Sequence, residues 1–328
     1  MRPFDYERPA EPDAAVAAVA ARPDAVFLGG GTNLVDLMKL GVADPGLLVD
    51  VTGLPLDRIE RLPAGLRIGA TVRNADAAAD PDVRRRYPVL ARALLAGASG
   101  QVRNMATVGG NLLQRTRCSY FQDTTLPCNK REPGSGCSAL HGHTRHHAIL
   151  GASRGCVAVH PSDMAVALAA LDATVRVRGP GGERAVPVAG LYRPPDDAPD
   201  RDTVLEHGEL VTAVDLPAPP PGRSAYRKVR DRASYAFALV SVAAVLDVAD
   251  GAVRAARIAF GGLAHRPWRA LRAEASLVGA PADERSFRAA ADEELALARP
   301  LPGTQFKVPM ARGALVAALR ELSAPDAP

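Results

Sequence analysis

Apolar residues recur along the first part of the chain in patterns that predict both helices and strands. The alanine-rich stretch Ala14–Ala21 predicts a helix, which Arg22–Pro23–Asp24 ends. Two short apolar runs, Ala25–Leu28 and Leu47–Val51, predict buried strands, and the alternation within Leu66–Thr71 predicts a further strand. These patterns together predict a chain of mixed helix and strand.

The middle of the chain combines regular periodicity with one irregular segment. The expected elements are helices over Asn74–Asp80, Val89–Ala96 and the Ala-rich Asp163–Leu171, then a strand at Ala173–Arg178 that turns at Gly179–Gly182. Residues 118–156 are instead rich in Gly, Pro, Ser and His and show little periodicity. Such a segment cannot pack a core by itself and needs a covalent or metal staple.

A proline-rich segment, Pro217–Gly222, is the best candidate for a domain boundary, because a new pattern starts after it. The expected elements beyond it are the segment Ser224–Val229, a helix from about Ala236, strands at Ser241–Val248 and Val253–Gly261 joined by the turn Ala249–Asp250–Gly251, and helices within 269–298 and 311–322.

Length and composition describe a globular chain. Its 328 residues suggest about two domains. Since 47% of residues are apolar, it can bury a sizeable core and is not a disordered protein. The longest apolar runs, such as Met164–Leu171, fall far short of the roughly 20 residues that span a bilayer. Met1–Glu7 has no apolar run, so we expect no signal peptide on this chain.

The charge balance gives no indication of nucleic-acid binding. The net charge is +4, from 40 basic and 36 acidic residues. The densest basic run is Arg84–Arg86, which we interpret as a solvated helix face.

The cysteines are the most unusual feature of the composition. Cys118, Cys128, Cys137 and Cys156 all fall within the irregular segment, with spacing C-x9-C-x8-C-x18-C, and there are no others. The CxxC pairs typical of structural zinc sites are missing, whereas four thiolates on long loops suit a 4Fe–4S cluster. From the spacing alone, a 4Fe–4S cluster, a zinc site and disulfides or free thiols all stay open.

Two glycine-rich loops are candidates for binding a phosphate-bearing cofactor. Gly29–Asn33 follows an apolar strand, and its glycines let consecutive backbone N–H groups approach a pyrophosphate. Neither the Rossmann nor the Walker pattern is satisfied, and a plain tight turn is the alternative. Thr107–Asn111 is a second loop of this kind, which favours one ligand shared between the two.

Other polar residues carry weaker signals. Ser162 or Asp163 suits a plain helix N-cap as well as a ribose contact. Lys228 is one of only four lysines, although an exposed surface position is the simpler interpretation. Four histidines crowd into seven residues, and we interpret them as part of a solvated loop rather than metal ligands: His141, His143, His146 and His147.

In combination, the motifs of the chain resemble a known family. The resemblance rests on Phe27–Leu34 (FLGGGTNL), Gln101–Leu112 (QVRNMATVGGNL), Pro161–Ala165 (PSDMA), Tyr226-x-Lys228-x-x-x-Arg232 and Ala259–Gly262 (AFGG). Over nearly the whole chain, these are similar to the FAD-binding medium subunit of the xanthine dehydrogenase/molybdenum hydroxylase family. The resemblance implies an α+β fold, namely the two-part FAD-binding fold of the vanillyl-alcohol oxidase (PCMH) type plus a C-terminal α+β flavoprotein domain.

The resemblance also implies domain limits and cofactor contacts. The expected parts are FAD-binding subdomain 1 at 1–55, subdomain 2 at 56–216 with an insert at 117–157, and a domain of the CO dehydrogenase flavoprotein type at 222–325. The implied FAD-binding residues are Leu28, Gly29, Gly30, Gly31, Thr32, Asn33, Leu34, Thr107, Gly109, Gly110, Asn111, Ser162, Asp163 and Lys228. The first loop would cradle the pyrophosphate and the second would form the opposite wall. Asp163 would bind the ribose or adenine end, and Lys228 would lie near the isoalloxazine ring.

The cysteine segment narrows the resemblance. Its parts Arg117–Phe121, Leu126–Arg131, Gly134–Cys137 and Gly155–Cys156 are similar to the FAD subunit of periplasmic aldehyde oxidoreductases, which carries an additional 4Fe–4S cluster. The resemblance therefore implies that Cys118, Cys128, Cys137 and Cys156 ligate such a cluster.

The function implied by the resemblance is electron relay in an oxidoreductase complex. A large subunit with a molybdenum cofactor would oxidise an aldehyde to a carboxylic acid, and a small subunit with 2Fe–2S clusters would pass electrons to the FAD of this chain. Two rival interpretations are a stand-alone FAD oxidase of related fold and a non-enzymatic, zinc-stapled scaffold. We expect the chain either in the periplasm, exported with a signal-bearing partner, or in the cytoplasm.

Overall fold

Three β-sheets succeed one another along the chain in the computed structural model, which describes residues 1–196 and 198–324. The strands are β1 (Asp5–Glu7), β2 (Ala25–Leu28), β3 (Leu47–Asp50), β4 (Ile59–Leu62), β5 (Gly65–Gly69), β6 (Thr174–Gly179), β7 (Gly182–Pro187), β8 (Leu210–Leu216), β9 (Arg223–Val229), β10 (Val240–Ala249), β11 (Ala252–Gly261) and β12 (Trp268–Arg269). The α-helices are α1 (Pro12–Ala20), α2 (Leu34–Lys39), α3 (Asn74–Ala79), α4 (Pro81–Arg86), α5 (Pro88–Ala96), α6 (Gly100–Met105), α7 (Val108–Leu112), α8 (Ser119–Gln122), α9 (Asp163–Ala170), α10 (Val188–Leu191), α11 (Leu271–Leu277), α12 (Glu284–Leu295) and α13 (Lys307–Ser323). The predicted mixture of helix and strand is confirmed.

The first sheet is parallel, with strand order β1-β3-β2. All four residues of the central strand β3 are buried, and α1 packs its buried face against this sheet. Strand β2 pairs with β3 up to Leu28, and the chain then enters Gly29–Asn33. The first glycine loop therefore lies at the carboxyl edge of a parallel sheet, where open α/β sheets bind their ligands.

The second sheet is antiparallel, with strand order β4-β5-β8-β6-β7. Strands β5 and β6 are neighbours of β8 but are separated in sequence by helices α3 to α9, the second glycine loop and the cysteine segment. Its core includes Leu66, Ile68, Val175 and Val214. The long segment between β5 and β6, which contains the second glycine loop and the cysteine segment, therefore starts and ends at this sheet.

The third sheet is antiparallel, with strand order β12-β11-β10-β9, and helices α11 and α13 pack against its strands. Helix α9 also contacts β10 and β11, where the small residues Ala243 and Ala259 join the core of the second sheet. Since all eight residues of α9 are buried, this helix is enclosed by the two parts. One sheet falls in each of the expected parts, so we propose the divisions 1–55, 56–216 and 222–325, of which Pro325 lies outside the described residues.

Most predicted elements are confirmed with shifts of a residue or two, but the helix from about Ala236 is wrong. Residues 230–239 are irregular, and Tyr235 has a φ of 50°, in the left-handed region that an α-helix does not use. The Leu239 amide then bonds the Val229 carbonyl at 2.9 Å, which starts the β9–β10 ladder. Residues 237–239 therefore belong to the irregular segment, and the buried strand β10 begins at Val240.

In the part of the chain that the structure describes, none of the helices is both long and apolar enough to cross a bilayer.

A buried lysine joins the C-terminal part to the cysteine segment. Lys307, at the start of α13, is fully buried, and its Nζ donates to the carbonyls of His147 at 2.9 Å and Gly262 at 2.8 Å. Burial lowers the pKa of Lys307 to about 7, since no carboxylate among the described residues pairs with it.

This pKa predicts a stability that rises with pH. Unfolded lysine titrates near pH 10.4, so between about pH 7 and pH 10 only the unfolded chain carries this proton. The free energy of unfolding should therefore increase with pH, by up to about 1.4 kcal/mol per unit, relative to that of Lys307→Met. Urea unfolding at about pH 7.5 and about pH 9.5 measures this. The exposed Lys39→Met is the control, and parallel pH profiles for wild type and Lys307→Met would contradict the prediction.

Candidate functional site

The two glycine loops lie on opposite sides of one cleft of about 930 Å³. A cleft of this size is within the range of small-molecule and cofactor pockets. The first loop contributes residues 29–34 and the second contributes Thr107, Gly109, Gly110 and Asn111. The expectation that one ligand could contact both loops therefore agrees with their positions.

The first loop packs closely against the end of α6 and the start of the second loop. A Cβ on Gly30 would lie 1.9 Å from the carbonyl oxygen of Met105, and one on Gly29 would lie 2.8 Å from Thr107 Oγ1. The Met105 carbonyl cannot rotate away as a side chain could. Glycine at position 30 is thus required by close approach, and the floor of the cleft is built from main chain.

The first loop has free hydrogen-bond donors. Within the described residues, the backbone amides of Gly30, Gly31 and Thr32 have no acceptor. Gly31 has a φ of 72°, which turns successive amides toward a common point. Asn33 Oδ1 accepts from the Arg115 amide at 2.8 Å, whereas its buried Nδ2 lacks a partner in the described chain. This donor set fits the oxygen atoms of a pyrophosphate.

The amides of the second loop are already used inside the protein. Val108 N donates to Val72 O at 3.0 Å and Gly109 N to Ala70 O at 2.8 Å. Gly110 N donates to Thr107 Oγ1 at 3.2 Å. The second loop is therefore a wall that is fastened to the end of β5, and it differs from the first loop although the two sequences look alike.

Ser162 is the N-cap of α9. Its Oγ accepts from Ala165 N at 3.0 Å and donates to Asn111 Oδ1 at 2.6 Å. The interpretation of Ser162 as a helix N-cap is confirmed. Its hydrogen bond to Asn111 Oδ1 also holds the side chain of Asn111, in the second loop, in place.

Asp163 and Lys228 form a buried ion pair. Lys228 Nζ lies 2.7 Å from Asp163 Oδ2, with side-chain exposures of 5% and 7%, and the Tyr226 hydroxyl donates to Asp163 Oδ1 at 2.5 Å. Burial, together with the Asp163 charge, raises the pKa of Tyr226 well above its usual value. The expected exposed position of Lys228 is thus wrong.

This pair also limits the roles implied for its two members. The adenine and isoalloxazine groups are opposite ends of FAD, so an extended FAD cannot have Asp163 at one end and Lys228 at the other when the two side chains touch. Asp163 lines the cleft, whereas Leu28, Ser162 and Lys228 do not. We therefore place Lys228 behind Asp163, as the cation that neutralises it.

Several further residues line the cleft without a clear signal in the sequence. Thr71 and Asn74 line it, and Thr71 Oγ1 and Asn74 Oδ1 are buried without a partner in the described residues. Thr71 closes the alternating pattern that predicted β5, which is the signal that could have identified it. Arg232 and Phe237 line the cleft from the irregular segment 230–239, where a helix was expected.

The four cysteines line one small cavity beside this cleft. All four are free thiols, which removes disulfides from the alternatives for this structure. An isolated antiparallel bridge pairs the backbone of Cys128 with that of Cys137 and so holds these two cysteines beside each other. In the described ranges, no cluster of three or more His, Cys, Asp or Glu side chains has the arrangement for a single metal ion.

Burial in this cavity favours the neutral thiol form of two of the cysteines. Burial raises the pKa of Cys118 to about 11, and burial also raises that of Cys156. At neutral pH these sulfurs are protonated unless iron or another cation replaces the proton. Four cysteines around one cavity suit either a 4Fe–4S cluster or a structural zinc ion.

A buried polar network connects the cysteine cavity with the cleft. Lys130, which lines the cavity, bonds Asp202 and donates to Pro199 O at 2.8 Å. Arg115 Nε donates to Asp202 Oδ2 at 2.7 Å, and the amide of the same arginine holds Asn33. The first glycine loop and the cysteine cavity are thus joined through Asp202.

Comparisons with known proteins match both parts of the chain. The model of the FAD binding domain in molybdopterin dehydrogenase matches residues 2–219, and that of the CO dehydrogenase flavoprotein C-terminal domain matches residues 224–322. The chain is 53% identical over 326 residues to the aldehyde oxidoreductase FAD-binding subunit PaoB of Escherichia coli K12, with 99% of both chains covered.

More distant proteins share the same architecture. The chain is 26% identical over 277 residues to the glyceraldehyde dehydrogenase medium chain of Sulfolobus acidocaldarius, which covers 84% of this chain and 81% of the relative. The structure of the present chain is similar to a chain of carbon monoxide dehydrogenase from Hydrogenophaga pseudoflava, with a TM-score of 0.78 and 28% sequence identity. The match covers 98% of the present chain and 97% of the other.

The contact between the loops predicts the effect of one added methyl group. Gly30→Ala should separate the loops and weaken FAD binding roughly tenfold or more, about 1.4 kcal/mol. The FAD content of purified protein and titration of flavin-free protein with FAD measure this. Gly313→Ala makes the same change within α13, where a Cβ meets no atom within 4 Å, and should bind FAD normally. Equal FAD affinity in the two variants would contradict the role of Gly30.

The buried ion pair predicts a loss of stability. Lys228→Met leaves the Asp163 carboxylate buried without its cation and should lower the free energy of unfolding by about 3–5 kcal/mol. The double variant Lys228→Met/Asp163→Asn should recover part of this loss, since the uncompensated charge is gone. Urea unfolding of the wild type, Lys228→Met, Asp163→Asn and the double variant measures the coupling, and strictly additive effects would show that the pair is not coupled.

Proposed function

The chain belongs to the FAD-binding medium subunits of the molybdopterin dehydrogenases, and we propose that it serves as the electron-relay subunit of a molybdenum-dependent aldehyde oxidoreductase. The family assignment and the expected fold are confirmed by the matches over both parts of the chain. The aldehyde substrate is proposed from the similarity to PaoB, whose name states that activity.

The observation that carries the proposal is the cleft between the glycine loops. The free amides of Gly30, Gly31 and Thr32 and the buried Nδ2 of Asn33 would hold the FAD pyrophosphate. Thr107, Gly109, Gly110 and Asn111 would form the facing wall, and Asp163 would contact the flavin nucleotide from the start of α9. Bound FAD would supply the redox chemistry, taking electrons that reach it from a partner and delivering them to a final acceptor.

We propose a 4Fe–4S cluster as the second cofactor, held by Cys118, Cys128, Cys137 and Cys156. The support is their shared cavity, the burial of Cys128 and Cys156, and the absence of disulfides between these four residues. Such a cluster would supply a one-electron carrier beside the FAD cleft. The lining of the cavity contains four thiols, so the residue types present suit the group.

The proposed partners are a large subunit with the molybdenum cofactor and a small subunit with 2Fe–2S clusters. The large subunit would hold the aldehyde, and this chain would contribute no residue to its oxidation. The compartment stays a prediction, either periplasm through the export signal of a partner or cytoplasm.

The experiment is the anaerobic purification of the complex through a tag on this chain, from cells that produce either the wild type or Cys128→Ser. We expect both partners and about one FAD per chain in each preparation. The Cys128→Ser complex should hold about four iron and four sulfide fewer per chain, which separates this cluster from those of the partner. His143→Gln, an exposed change in the same segment, is the control.

Two results would contradict parts of the proposal. Equal iron in wild type and Cys128→Ser would exclude the cluster while leaving the FAD subunit in place. Isolation of this chain with FAD but without any partner, and with its own aldehyde oxidation, would favour a stand-alone flavoenzyme.

A further inference from the structure

One histidine of the cysteine segment lies against a cysteine sulfur. His147 is only 3% exposed, whereas His141, His143 and His146 are exposed. Its Nε2 lies 3.1 Å from Cys118 Sγ. The sequence pattern suggested a solvated loop for all four histidines, and for His147 this is wrong.

The position of the His147 ring is fixed from several sides. Its amide donates to Thr144 O at 2.8 Å, and its carbonyl accepts from Lys307 Nζ at 2.9 Å. The ring packs beside Tyr120 with ring centroids 6.1 Å apart. The contact with Cys118 is therefore held by both the segment and the C-terminal part.

The hydrogen-bond partners of the ring indicate where its proton lies. Nδ1 is buried and has no partner in the described residues, whereas Nε2 faces the sulfur. A buried N–H without an acceptor is costly, so the proton belongs on Nε2. Nε2–H is then a donor to the sulfur of Cys118.

Cys118 occupies a special place among the four cysteines. A second cavity, of about 230 Å³, is lined by Cys118 and His147 and shares Arg117, Asp163 and Phe237 with the FAD cleft. Among the described residues, the other three cysteines do not line it. Cys118 is thus the sulfur on the side of the FAD cleft.

We propose that His147 is a positioning residue that donates a hydrogen bond from Nε2 to the Cys118 thiolate and thereby raises the reduction potential of the cluster. The inference rests on the proposed 4Fe–4S cluster. Hydrogen bonds to the sulfurs are one of the factors that set such potentials. A donor stabilises the reduced state more, because reduction adds negative charge to the sulfurs.

The test compares three variants of the complete complex. His147→Phe keeps a ring beside Tyr120 but removes the donor, whereas His147→Gln retains a donor with similar reach. His146→Gln is the matched control, because His146 lines the same second cavity without a bond to sulfur. The potential is measured by redox titration followed by electron paramagnetic resonance, using the signal that Cys128→Ser lacks. Iron, sulfide and FAD are assayed on the same samples.

We expect a more negative cluster potential in His147→Phe, a return toward the wild-type value in His147→Gln and no change in His146→Gln. An intact cluster at the wild-type potential in His147→Phe would overturn the inference. Loss of the cluster in both His147 variants would also overturn it and make His147 a ligand or a structural requirement. A wild-type complex with FAD but without the additional iron would instead refute the proposed cluster.

Discussion

The contact between two backbone loops is the constraint on which the rest of the site depends. Gly30 lies so close to the Met105 carbonyl that any side chain would separate the loops. The first loop ends a strand of the parallel sheet, and the second begins a short helix fastened to the antiparallel sheet. Their contact therefore fixes the two sheets against each other. The two loops also differ in their hydrogen bonds. The first loop keeps the amides of Gly30, Gly31 and Thr32 free for a ligand, whereas residues 108–111 of the second loop donate theirs within the protein.

Helix α9 connects the cleft with the third sheet. It is buried along its whole length between the FAD-binding part and the C-terminal part. Its first residues, Asp163 and Met164, line the cleft. The N-cap Ser162 holds Asn111, and Asp163 pairs with Lys228 from β9. Burying the charges of Asp163 and Lys228 costs desolvation free energy. Their mutual attraction and the hydrogen bond from the Tyr226 hydroxyl to Asp163 offset this cost. The C-terminal part thereby contributes to the cleft without supplying most of its lining.

The cysteine segment shows how a stretch with little regular structure can still be ordered. Long-range polar contacts hold it in place: Lys130 bonds the carboxylate of Asp202, and Lys307 donates to the carbonyl of His147. Arg131 donates to the carbonyls of Tyr120 and Phe121 at the start of the segment. The cysteines therefore take their positions from the fold around them, and the cluster we propose would bind within the cavity that they line. Lys130 and Arg115 meet on Asp202, so this arrangement and the first glycine loop share one support.

The sequence by itself determined the helices and strands with clear periodicity, the two glycine loops, the cysteine set and the family. Those features are local, or depend on motifs that stay recognisable out of context. Only the tertiary structure decided that the amides of residues 108–111 in the second loop are bonded within the protein, that Lys228 neutralises Asp163, that His147 faces Cys118 and that residues 230–239 are irregular. In each case the deciding partner is distant in the chain or is a backbone group, and neither leaves a periodic pattern. The apolar run after Ala236 fits a helix or a strand equally well until its pairing with β9 is known.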